Sequence, residues 1–80
     1  MEFEATVVYK TVENGFYALD ADNGRRFQPL NLPQAMRVHG TRVKVAGVIK
    51  QDMATTANYG QTFEISSILM LSKGQGHNRY

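Results

Sequence analysis

"RRFQPLNLPQAM", residues 25–36, decides how this chain is read. Two arginines, an aromatic, two prolines and two leucines describe either a basic and aromatic binding strip or a corner where a strand gives way to a helix. Pro29 has no amide to donate, so a strand over residues 25–29 must end there or lie on an edge. Asn31 is an N-cap type, Pro33 falls in a first turn where its missing amide costs little, and Gly40 is a C′ type. Leu32 and Met36 stand four apart and share one side. Residues 31–40 therefore predict one short helix, about a turn and a half, which must lean on a core because it cannot hold itself up.

Working outward, Asp22-Asn23-Gly24 supplies the turn ahead of this strand. Before it, residues 16–20 read as a second strand, with Phe16 and Ala18 sharing one face and Tyr17 and Leu19 the other. Asn14-Gly15 is a strong hairpin signal, because both positions accept positive φ. Upstream, "EFEATVVYKTV" alternates with period two, Phe3, Ala5 and Val7 on one face, Glu2, Glu4 and Thr6 on the other. Val12 falls out of phase, which predicts a bulge near Lys10 and Thr11. Downstream, "TRVKVAGVIKQ" alternates until Gly47 breaks the phase, as a glycine bulge does. Residues 52–60 form a polar loop, and residues 62–71 a last strand whose register shifts at Ser66-Ser67. Residues 73–80 have no periodicity and read as a flexible tail.

Composition sets the outer limits. Eighty residues make one domain, here a barrel over residues 1–72 followed by the tail. With 42% hydrophobic and 20% charged residues the chain is neither a disordered tract nor a membrane-inserted one. The absence of cysteine excludes disulfides and thiolate metal sites. Acidic residues at Glu2 and Glu4 stand where a signal peptide carries basic ones, which predicts a cytoplasmic protein. Nine basic against seven acidic residues give +2, too small an excess to demand a polyanion.

Strand, strand, strand, short helix, strand, strand, with a long bent first strand, is the pattern of an OB-fold, a five-stranded Greek-key barrel. The alternative is an SH3-like barrel, which normally lacks a helix after strand three. The inward candidates are Phe3, Ala5, Val7, Phe16, Ala18, Phe27, Leu30, Leu32, Met36, Val43, Val45, Ile49, Phe63, Ile65 and Ile68. At about 1.5–3 kcal/mol per large side chain buried, they offset backbone ordering only narrowly.

Gly15-Phe16-Tyr17, Asp22-Asn23-Gly24, Phe27, Pro29-Leu30-Asn31-Leu32-Pro33, Arg42-Val43, Gly47 and Gly60 give the chain a pattern that resembles a family of small bacterial and archaeal OB-fold domains. The P-L-N-L-P run is its most distinctive element, and the likeness spans residues 15–68. What it implies is a fold, since no reaction is attached to the family. Many relatives look secreted or lipoprotein-attached, which implies an extracytoplasmic location if a leader has been removed.

Chemistry-bearing motifs are few. Asp20 to Gly24 resembles a calcium loop only superficially, because an EF-hand needs a third ligand at Gly24 and glutamate where Asn31 stands. His39 and His77 lack neighbours at metal spacing. Ser66, Ser67 and Glu64 have no histidine nearby in sequence. No enzyme, metal or cofactor is expected. The outer face of strands two and three offers Tyr17, Arg26 and Gln28, joined by Lys50, Asn58 and Tyr59, as candidate ligand-binding residues. Asp20, Asp22 and Asp52 are expected close by, where they would repel phosphates. The favoured expectation is a binding module, monomer or weak dimer, that docks a protein through an edge strand or the 52–60 loop. The alternative is single-stranded nucleic acid or oligosaccharide on strands two and three.

Overall fold

The computed structural model describes residues 1–11, 15–50 and 60–76. Five strands, β1 (Glu2–Lys10), β2 (Phe16–Ala21), β3 (Arg26–Pro29), β4 (Arg42–Ile49) and β5 (Gln61–Ser72), close in the order β1-β2-β3-β5-β4. Every neighbouring pair is antiparallel except β3 with β5. The chain is thus a closed Greek-key barrel in the OB strand order, and the one helical element among the described residues lies between β3 and β4. The hairpin turn at residues 13–14 and the loop over 52–59 lie outside the described residues. β1 and β2 pair in unbroken register from Ala5 with Ala21 to Lys10 with Phe16, so the bulge expected near Lys10 and Thr11 does not interrupt the strand as far as Lys10.

The barrel closes on three rings. Phe27 and Phe63 are fully buried, and their centroids stand 5.2 Å apart. Phe3 stacks on Phe27 at 4.8 Å and meets Phe63 edge-on at 5.3 Å. These rings come from β1, β3 and β5, so the aromatic centre ties together strands that are distant in sequence. Ala5, Val7, Leu32, Val43, Val45 and Ile65 join the buried set as expected, with Met36, Ile49 and Ile68 packed against it.

Two inward assignments differ from the sequence pattern. On β2 the core takes Leu19 and Ala21 with Tyr17 behind them, whereas Phe16 is half-buried and outside the core cluster. The cause is register: Val7 faces Leu19 and Tyr9 faces Tyr17, so β2 must follow the inward phase of β1. Ala18 is nonetheless fully buried, on the opposite face of β2. Leu30 is 42% exposed, because the chain leaves the barrel wall at Pro29.

The expected helix shrinks to a single 3₁₀ turn, Gln34–Met36, preceded by Pro33 without a side-chain cap. Asn31 is engaged elsewhere: its Oδ1 accepts from the Ile65 amide at 2.9 Å and its Nδ2 donates to the Ile65 carbonyl at 2.9 Å. The side chain thereby extends the β3–β5 seam past Leu30, whose own amide donates to the Phe63 carbonyl. Gly40 does adopt positive φ, at 93°, ending the turn segment and leading into β4. A Cβ on Gly47 would land on the Glu64 carbonyl oxygen, and the β4–β5 register shifts between Ala46 and Gly47. Ser66 falls in that shift, as the sequence phase predicts.

Residues 73–76 follow β5 and are held: the Gly74 amide donates to Thr41 Oγ1 and the Gly76 amide to the His39 carbonyl.

Candidate ligand groove between β2 and β3

The β2–β3 ladder is short. Only Leu19 with Phe27 and Asp20 with Arg26 are paired, and Pro29 can donate nothing further along. Beyond those pairs a groove of about 290 Å³ is lined by Gly15, Phe16 and Tyr17 on one side, Gln28 and Pro29 on the other, and Leu32 and Arg37 from the segment after β3. Its chemistry is mixed: two aromatic residues, two apolar ones, an amide and a guanidinium.

Gln28 is the unusual member. Its Oε1 is buried and has no hydrogen-bond partner among the described residues, and a buried acceptor left unpaired is costly. Arg37 Nε donates to the Leu32 carbonyl at 3.0 Å, which fixes the guanidinium beside the groove. No carboxylate among the described residues pairs with its two Nη groups.

The six candidate residues therefore part company. Tyr17 and Gln28 meet in the groove. Tyr17 does so from the inward phase of β2, its ring packed on the core and 4.9 Å from Tyr9, and is not the outward-pointing residue that the sequence pattern predicts. Arg26 is exposed opposite Asp20 and does not line the groove. Lys50 is held on β5, its amide on the Thr62 carbonyl and its Nζ 3.5 Å from Glu64 Oε1. Asn58 and Tyr59 lie outside the described residues. Arg37, Phe16 and Leu32 join the site without a sequence signal of their own, because a helix over 31–40 would have turned Arg37 to solvent.

Electrostatically, Asp22 is spoken for. Arg42 grips both its oxygens at 2.8 and 2.7 Å, and also donates to Thr6 Oγ1 at 2.8 Å. Those side-chain hydrogen bonds hold the Asp22 carboxyl below its ordinary value and the Arg42 guanidinium above its own. The expected repulsion of phosphates by Asp22 is correspondingly reduced. Asp52 lies outside the described residues. Arg25, at the opposite end of β3 from Pro29, sits 5.1 Å over the Phe27 ring and donates to Gln61 Oε1 at 2.6 Å.

Ser66 and His39 have structural partners. Ser66 Oγ donates to the Ala46 carbonyl at 3.1 Å, and His39 Nδ1 accepts the Tyr9 amide at 2.8 Å, filling a gap beside β1. No three histidine or acidic side chains among the described residues come together at metal-binding distance, and no helix among them is long and apolar enough to cross a membrane. Compared with protein-family models, with curated proteins and with solved structures, the chain finds no match.

Proposed function

We propose that this chain is a non-enzymatic binding module that takes single-stranded nucleic acid over the β2–β3 face, with one base entering the groove. The observation that carries the reading is Gln28 Oε1, buried in the groove wall and without a hydrogen-bond partner among the described residues. It offers an acceptor to a base amino group, while Tyr17 and Phe16 offer ring faces and Arg37 a cation for the neighbouring phosphate. The guanidinium favours an anionic strand over a neutral oligosaccharide. Base stacking of about 1–3 kcal/mol suits a small site of this kind.

Fluorescence anisotropy of labelled single-stranded oligonucleotides at low salt tests it. Binding should weaken as salt rises, and Arg37→Ala should flatten that dependence by about one phosphate contact. Gln28→Met should relax the preference for amino-bearing bases. An oligonucleotide that fails to bind at low salt, where phosphate contacts are strongest, ends the reading.

A further inference from the structure

β5 outlasts its partner on one side. β3 covers only Gln61, Thr62 and Phe63, and Asn31 takes Ile65. From residue 66 to Ser72 the strand is paired, among the described residues, with β4 alone. Among the described residues, no backbone group of 66–72 bonds to anything on the side away from β4. The segment from Ile65, "ISSILMLS", contains no charge and no proline. Leu69 is 61% exposed and Leu71 44%. Strand edges left open in monomers carry lysine, proline, a bulge or a covering element; the bulges here fall at the two ends, at Ser66 and Leu71, and residues 67–70 between them have none of these among the described residues.

We propose that this edge pairs antiparallel with the same edge of a second copy, across a two-fold axis passing near Leu69. The charge order argues for a copy of the chain. Glu64 precedes the neutral segment and Lys73 follows it, so antiparallel self-pairing brings the acid of each chain toward the base of the other. Within the segment nothing repels its own duplicate. The two register shifts, between Arg42 and Val43 and between Ala46 and Gly47, bracket residues 67–70 as a regular run. Closed two-fold pairing of such a run uses up both edges and builds no fibre.

Sedimentation equilibrium over a wide concentration range is the test. The chain should reach the mass of two copies. Leu69→Lys should lower the association constant about tenfold or more, since it places like charges across the axis, and Ser67→Lys should lower it too, since it sets a lysine diagonally beside Lys73 of the other copy. Lys73→Glu should weaken pairing, and Glu64→Lys added to it should restore it. Circular dichroism identifies any variant that fails to fold, and the remaining serine or leucine variant then decides. A single-chain mass at every concentration overturns the proposal, as does a dimer that folded Leu69→Lys and Ser67→Lys leave unchanged.

Discussion

Asn31 can be replaced in ways that separate two roles for the same residue. As a helix cap it would tolerate aspartate or serine with a loss of a few tenths of a kcal/mol, because both are good caps. As the closing element of the barrel seam it needs one acceptor and one donor together, for the Ile65 amide and carbonyl. Ile65 is only 8% exposed, so water replaces those bonds poorly in Asn31→Ala. Two bonds at about 0.5–1.5 kcal/mol each, with some cost for the groups left behind, give about 2–3 kcal/mol. In a domain of this size that lowers Tm by about 10–20 °C. Asn31→Asp should fall as far as alanine, because its second oxygen would face the Ile65 carbonyl. Asn31→Ser should lose more than half as much, since one hydroxyl cannot serve both groups. Thermal melts followed by circular dichroism provide the measurement. Asn31→Asp melting within a degree or two of the parent would refute the seam role.

Phe27→Ala removes the centre of the aromatic triad and should cost about 3–5 kcal/mol, unfolding the domain or nearly so, whereas Arg26→Ala should stay within about 0.5 kcal/mol. Equal shifts in urea midpoint would contradict the inward and outward assignment of β3. Gly47→Ala forces a methyl onto the Glu64 carbonyl and should cost about 1–3 kcal/mol of stability, lowering the urea midpoint at unchanged m-value. Asp22 has a folded-state value below its unfolded one. Its contribution to stability is therefore complete above the unfolded value and lost as pH falls through the folded one. Asp22→Asn should reduce the acid-side slope of stability against pH, and a slope identical to the parent's would exclude the Arg42 clasp as its source.

How far the sequence could be read depended on whether a residue's role is local. β1 as far as Val7 and β4 as far as Val45 alternate polar and apolar residues, so Val7, Val43 and Val45 were assignable from spacing alone. "FYALDA" is apolar at both phases, and only the pairing of Val7 with Leu19 chooses between them. Asn31 and Pro33 look like helix punctuation because the cap preference is local. The bond that employs Asn31 reaches across 34 residues, which no spacing rule encodes. The groove is harder still. It exists because the β2–β3 ladder stops after two pairs, and Arg37 belongs to it only through a bond to the Leu32 carbonyl.

The parallel join of β3 and β5 also governs how the chain can fold. β1 and β2 are neighbours in sequence and can zip from a hairpin, but Phe27 cannot meet Gln61, nor Asn31 meet Ile65, until more than thirty intervening residues are organised. Loop entropy is spent before that contact returns anything, which places the domain among the slow folders of its size, in the millisecond-to-second range, roughly. The rate-limiting barrier then precedes closure, so loosening the Asn31 clasp should hasten unfolding while leaving the refolding rate nearly untouched. Stopped-flow chevrons of Asn31→Ala would display this as a shift confined to the unfolding limb.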